Sequence, residues 1–320
     1  MSADYSVGID VGGTKIAFGL FDKNRKLIGK RTILTRQDQT PDIFFNNLAT
    51  EAQILCEENV VDVKTLAGIG VGMPGFIRRQ DGYVFKNTNI PSLHGCMAKE
   101  FISEAFGGIR VELDNDTHVA ALAESRQGAG SGVDNMLYCA VSSGIASAPI
   151  IDGNLFRGTY GFSGESGHMI ITPDQGLLCE CGKRGCFMSW CSGIMIAKHV
   201  QNWIQDGEPT VMTEFVDDVG EITTKEIAKA WRMDDPLATR AVKQMQRFFA
   251  LWFYNLYLFT NISFFVLGGG LLKMGDDFWE TIVSEFNALS CDTSSECPVS
   301  IMPALLGEDF GIIGANELLY

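Results

Sequence analysis

Basic residues are in short supply in this 320-residue chain. The 25 basic residues are outnumbered by 39 acidic ones, and the net charge of −14 excludes nucleic-acid binding by phosphate neutralisation. An anionic substrate therefore needs local help from helix N-termini, backbone amides or a metal ion. The opening residues, MSADYSVGID, lack a basic segment followed by an apolar run, so no secretory signal is expected. Strand-like sequence starts too early there for an N-terminal helix-turn-helix. There is no G-x-x-x-x-G-K-[ST] loop, which excludes a P-loop kinase. G-x-G-x-x-G is missing after the first strand, which argues against a dinucleotide fold. One long run, Phe248 to Leu272, is free of charge, but Asn255, Thr260, Asn261 and Ser263 interrupt it and Gly268-Gly269-Gly270 closes it. It reads as a buried helix, a turn at Thr260–Asn261 and a buried strand at Ile262–Leu267, and no membrane span is expected.

What is present is a globular composition, 46% hydrophobic, long enough for two domains with real cores. Nine cysteines at irregular spacing, with no secretion signal, point to a reducing cytoplasm, where clustered cysteines bind metal more often than they pair. Residues 7–22, VGIDVGGTKIAFGLFD, read as a β-hairpin whose Gly-Gly turn allows close backbone approach. Residues 137–152, LYCAVSSGIASAPIID, align beneath them at an offset of 130 without a gap. Val11 falls on Val141, Gly12-Gly13 on Ser142-Ser143, Leu20-Phe21 on Ile150-Ile151, and Asp22 on Asp152. Each hairpin leads into alternating helices and strands. The pattern predicts a duplicated α/β unit whose two turns face each other across a cleft. A third glycine turn, VLGGG at 266–270, follows a buried strand, an order suited to holding a nucleotide's phosphate or ribose. The expected division is an N-terminal lobe over 1–116 and a C-terminal lobe over 117–304, with 305–320 packing back on the first.

Residues 111–124, VELDNDTHVAALAE, pass from an extended start into an alanine-rich helix at Asp114–Asp116. Asp116 then lies at a strand end, where α/β sheets bind ligands. Two readings stay open from the local sequence: Asn115 or Asp116 caps the helix, or Asp116 is a general base for an attacking hydroxyl. Residues 179–186, CECGKRGC, hold three cysteines, and three thiolates do not close a tetrahedral site. His168, eleven residues ahead of Cys179 in RGTYGFSGESGHMII, supplies the fourth ligand. His168, Cys179, Cys181 and Cys186 make a Cys₃His set, a common structural zinc site. Such a site leaves no position for water, so a zinc-dependent hydrolase is excluded. The second ring nitrogen of His168 is left to donate to a ligand oxygen, and Glu165 accepts from hydroxyls. The segment is thus a platform for a polyhydroxylated substrate. Cys56, Cys96, Cys139, Cys191 and Cys291 read as small buried hydrophobes.

These residues together resemble the ROK family of bacterial sugar kinases and sugar-responsive repressors, within the sugar kinase/heat-shock/actin fold. The resemblance runs over essentially the whole chain: GIDVGGTK (8–15), GVGMPG (70–75), LDNDTHVAALAE (113–124), GESGHM (164–169), CECGKRGC (179–186), SG (192–193) and VLGGG (266–270). It implies two duplicated RNase H-like α/β domains with a cleft between them, the actin-like ATPase fold. It implies a glucokinase-like phosphotransferase that moves the γ-phosphate of ATP to the 6-hydroxyl of a hexose with Mg²⁺, and a homodimer. By the same resemblance Asp116 is the catalytic base. Gly75, Thr88, Asn89, Asn115, Glu165 and His168 meet the sugar. Gly12, Gly13, Thr14 and Lys15 line the ATP phosphates, with Asp10 near the magnesium, while Ser143, Gly144 and Gly269 approach the nucleotide from the other lobe.

The chain departs from the family pattern twice. The second phosphate loop, close to GTGIGGG in the family, is SSGIASA at 142–148. Lost glycines predict backbone strain there, offset by hydrogen bonds from the Ser142 and Ser143 hydroxyls, with Gly144 the position that matters most. A family glutamate that contacts the sugar near its anomeric end is here Met188, whose thioether accepts no strong hydrogen bond. Glucose is the default substrate, with fructose, allose, mannose and N-acetylmannosamine as alternatives. The competing reading is a sugar-binding sensor with weak or lost kinase activity. The repressor branch needs a DNA-binding domain, and no nucleic-acid partner is expected.

Overall fold

The computed structural model describes residues 5–87, 89–290 and 298–320. In chain order the elements begin with β1 (Tyr5–Val11), β2 (Lys15–Asp22), β3 (Leu27–Leu34), α1 (Pro41–Glu58), β4 (Leu66–Met73), β5 (Phe76–Arg78) and β6 (Tyr83–Lys86). Next come α2 (Ala98–Ala105), β7 (Val111–Asn115), α3 (Asp116–Gln127), β8 (Met136–Val141), β9 (Ile145–Ile151) and β10 (Asn154–Leu155). The remainder is α4 (Met188–Cys191), α5 (Gly193–Gln205), α6 (Thr224–Trp231), α7 (Pro236–Thr260), β11 (Phe264–Gly268), α8 (Asp276–Leu289), β12 (Ser300–Pro303) and α9 (Phe310–Glu317).

The chain forms two compact units. One runs to Asp134 and takes in Ala148–Ser163 and Ala304–Tyr320; the other comprises Asn135–Ser147 and Gly164–Pro303. A five-stranded sheet runs β3-β2-β1-β4-β7, antiparallel through β3, β2 and β1, then parallel through β4 and β7. The other runs β10-β9-β8-β11-β12, with β8, β11 and β12 parallel. The two orders correspond strand for strand. The hairpin alignment at an offset of 130 holds in detail: β1 ends at Val11 and β8 at Val141, and the second strands resume at Lys15 and Ile145.

In the first unit, α1 starts at Pro41, whose missing N–H costs nothing at a helix start, and turns Phe44, Phe45, Leu48, Ala52 and Leu55 inward at helical spacing. The helix α9 packs on β1, β4 and α3. It can do so because glycines line the contact. A Cβ at Gly8, Gly70 or Gly314 would overlap the carbonyl oxygen of Ile312, Ala315 or Val119 respectively. The buried Glu124 of α3 pins the same segment by accepting from the amides of Ala129, Leu305 and Leu306.

In the second unit, Asp235 caps α7 by accepting from the Ala238 amide, and Asn261 ends it in the left-handed conformation at φ 53°. The uncharged run is therefore a helix end, a turn and a buried strand. Among the described residues no helix is long and apolar enough to cross a membrane.

Candidate functional site

In the first unit the predicted residues gather at the ends of β1, β4 and β7. Asp10 is the penultimate residue of β1, and the turn after it is closed by the Gly12 amide donating to the Lys15 carbonyl at 2.9 Å. Thr35 Oγ1 and Gln37 Nε2 donate to the Gly12 and Gly13 carbonyls at 2.7 and 2.6 Å, which fixes the turn and leaves Thr14 and Lys15 exposed. A Cβ at Gly13 would lie 3.3 Å from the side chain of Asn89, so the glycine turn and the loop before Pro91 touch. Thr88 lies outside the described residues. The Asn89 and Ile90 amides both donate to Oδ1 of the buried Asn87, a residue the sequence reading passed over.

Gly75 holds φ 116° against the Lys86 carbonyl, a position only glycine takes without strain. Its carbonyl accepts from Asn115 Nδ2 at 3.1 Å, while Asn115 Oδ1 accepts from the amides of Thr117 and His118. Asn115 is thus the cap of α3 and a tie to Gly75. Asp116, the first residue of α3, accepts at Oδ1 from the Thr117 amide at 2.8 Å, and Oδ2 accepts no hydrogen bond from the described residues. Burial pushes the Asp116 carboxyl up, against the Thr117 bonds and the neighbouring His118. Burial also raises Asp10, to about 7, with Asp116 adding to the rise and Lys15 opposing it.

Sequence reasoning missed the network beside this carboxylate. Asp114, at the end of β7, binds His118 Nδ1 through Oδ1 at 2.9 Å and Arg157 Nε through Oδ2 at 2.6 Å. His118 Nε2 reaches the Ser163 carbonyl at 2.9 Å. Burial alone would push the Asp114 carboxyl up, but His118 and Arg157 more than offset it and hold it below the usual range. The i, i+4 spacing of Asp114 and His118 was readable; the return of Arg157 was not.

In the second unit the glycine turns converge on Ser142. Its carbonyl accepts from the Gly193 amide at 2.8 Å, at the start of α5. Gly269, at φ 122°, lies so close that a Cβ would sit 3.2 Å from that of Ser142. The strain predicted for 142–148 is absent, because no residue of the loop has positive φ. Serine and alanine are accommodated there, and Gly144 is not crowded either: a Cβ would meet only Met188 Cε, at 3.9 Å. Met188 itself is buried in the core of this unit.

The segment carrying Glu165 and His168 is pinned to β9. The Ser147 amide donates to the Gly164 carbonyl at 2.8 Å, the Ser147 and Ser166 hydroxyls bond at 2.8 Å, and Gly167 packs against the Ile145 carbonyl. Ligand atoms of His168, Cys179, Cys181 and Cys186 all lie within 4.8 Å of one another, a spacing that could hold a metal ion. His168 Nδ1 faces Cys179 Sγ at 3.5 Å, which leaves Nε2 as the outer nitrogen. Gly182 and Gly185, at φ 84° and 83°, turn the knuckle, and Phe187 anchors it by stacking on Trp252 at 5.0 Å.

The chain is 29% identical over 319 residues to a glucokinase of Halalkalibacterium halodurans, covering 100% of this chain and 96% of that one. The crystal structure of a ROK hexokinase from Thermus thermophilus superposes with a TM-score of 0.83 at 30% identity, over 98% of this chain and 97% of that one. A ROK family glucokinase from Streptomyces griseus, solved with glucose and AMPPNP, gives 0.80 at 26% identity over 98% of each chain. The fold is therefore the actin-like ATPase fold of these kinases. The ROK family model itself matches residues 6–320, and the chain belongs to the ROK family.

Proposed function

We propose that the protein is an ATP-dependent hexose kinase that phosphorylates the 6-hydroxyl, with glucose as the default substrate. The observation that carries this reading is Asp116. It stands at the head of α3 with one carboxylate oxygen held by Thr117 and the other accepting nothing from the described residues. Its first-unit neighbours are the Asn115–Gly75 tie and the Asp10 carboxyl. Asp116 takes the proton of the attacking hydroxyl as the new O–P bond forms and the bond from γ-phosphorus to the β,γ-bridging oxygen breaks, releasing ADP. A carboxyl whose proton affinity is raised by burial while neighbouring positive charge keeps it ionised suits that task.

The backbone turn Gly12–Lys15 and the loop Ser142–Gly144 are assigned to the nucleotide, Asp10 to the neighbourhood of the magnesium, and Asn89, Asn115, Glu165 and His168 to the sugar. A magnesium ion held near Asp10 would supply charge neutralisation for the phosphates. The Cys₃His donor set fits zinc, which would hold the 168–186 segment in shape. Burial pushes the thiols of Cys179 and Cys186 up, the latter to about 12, so binding of the cation displaces protons. The unstrained Ser142–Ala148 loop favours a working nucleotide site over the sensor reading.

ADP release measured against glucose, fructose, mannose, allose and N-acetylmannosamine, with sugar binding followed by calorimetry, tests the proposal. Sugar binding without ADP release at millimolar ATP would establish the sensor instead.

A further inference from the structure

His118 sits between two acceptors. Nδ1 meets a carboxylate oxygen of Asp114 and Nε2 meets the Ser163 carbonyl, both at 2.9 Å. A neutral imidazole carries one ring proton and would turn a lone pair toward one of them. The His118 and Asp114 side chains are only 2% and 1% exposed, so water does not relieve that repulsion. The geometry therefore calls for both ring nitrogens to be protonated.

We propose that His118 is a positioning residue of the phosphoryl-transfer site, a buried imidazolium that clamps the segment from Arg157 to Ser163 to the start of α3 and sets the charge around Asp116. The proposal rests on the reading of Asp116 as the base. The charged groups around His118 are Asp114 at the end of β7, Arg157 from the 157–163 segment, and Asp116 on its own helix. Arg157 and His118 carry two positive charges against the one negative charge of Asp114, and this surplus favours ionised Asp116, whose other acidic neighbour, Asp10, is itself pushed toward its protonated form with its carboxyl raised to about 7. Asp116 needs this surplus, because burial favours its protonated form while a base must be ionised to accept a proton. Stability alone does not ask for such a cluster, since well-packed apolar side chains fill a buried space as well or better.

Two measurements test the proposal. In ¹⁵N-labelled protein, with the His118 signals assigned through His118→Asn, both ring nitrogens should be protonated at pH 7, above the ordinary histidine value. A non-protonated ring nitrogen at pH 7 overturns the proposal. In kinetics, His118→Asn and Arg157→Gln each remove a positive charge, which raises the proton affinity of Asp116. The acid limb of kcat should move to higher pH by about one unit, with kcat near neutrality down about tenfold and the KM for sugar little changed. Arg157→Lys keeps the charge and should keep the limb in place. A purely structural role would lower Tm and scale kcat alike at every pH. An acid limb that stays fixed in both charge-removing variants overturns the proposal. If the wild type transfers no phosphate to any hexose, the kinase reading falls, and the ring-nitrogen measurement still decides the imidazolium.

Discussion

The substitution Gly311→Ala tests how the last helix serves the first strand. Gly311 lies in the first turn of α9, and a Cβ there would overlap the Asp10 carboxylate and lie 2.8 Å from the Asp10 Cβ. Ordinary contact begins near 3.4 Å, so the two carbons must part by about 0.6 Å and the carboxylate must swing further, on the order of 1 Å. The helix cannot lift to make room cheaply, because Gly8, Gly70 and Gly314 already hold it in backbone contact with β1, β4 and α3. Strand β1 cannot yield either, being hydrogen-bonded on both sides. The side chain of Asp10 therefore moves. Misplacing a functional group by about 1 Å costs about 10²-fold, whereas overpacking of this kind costs about 1–3 kcal/mol of stability. Steady-state kinetics should show kcat/KM for ATP about 10²-fold down, beside a Tm loss of only several degrees at about 2–4 °C per kcal/mol. Gly144→Ala is the contrast, since its new methyl group meets only Met188 Cε, and its Tm should stay at the wild-type value. A Gly311→Ala enzyme with wild-type kcat/KM would show that Asp10 has no part in the nucleotide site.

Asp116→Asn should lower kcat by about 10²–10⁴-fold while calorimetry finds sugar binding nearly intact; retention of more than about a tenth of kcat would place the base elsewhere. Metal analysis should find one zinc per chain, and chelation should lower Tm and raise the KM for sugar if His168 meets both metal and sugar as proposed; a metal-free, fully active protein refutes this. Asp10→Asn should change the pH dependence of stability. Below its ordinary value of 3.8 the Asp10 carboxyl is protonated in both folded and unfolded chains, but between 3.8 and about 7 only the folded chain retains the proton. Wild-type stability contributed here is thus lost as pH rises through about 7, and the variant should melt higher than wild type above that pH and no higher near pH 4. Equal melting temperatures across the range would mean that the Asp10 carboxyl is not desolvated.

What could be read beforehand followed from local chemistry. The two hairpins were legible because small-residue turns between apolar runs recur in the same register. Helix α7 and strand β11 were legible because Thr260 and Asn261 break an otherwise apolar run. The His168 and cysteine cluster was legible because tetrahedral coordination demands a fourth ligand. The rest depends on returns of the chain that no short window contains. Arg157 lies 43 residues from Asp114, and Gly311 meets Asp10 only because α9 comes back to the first sheet. The strain expected in Ser142–Ala148 was argued from residue type, but the backbone there turns without positive φ, so glycine was never required.

The packing of α9 also sets an order of events during synthesis. Ser6 on β1 hydrogen-bonds Asn316 on α9, 310 residues further along. At a translation rate of about 5–20 residues per second, roughly 15–60 s separate the two partners. Through that interval the glycine-lined face of β1 and β4 has no cover. Every residue of the second unit, whose last segment ends at Pro303, has by then left the ribosome's active centre. The half of the protein begun first therefore closes its sheet last. A nascent chain halted anywhere before Phe310 would present an open sheet face, so chaperone shielding of that face is called for through nearly the whole of translation.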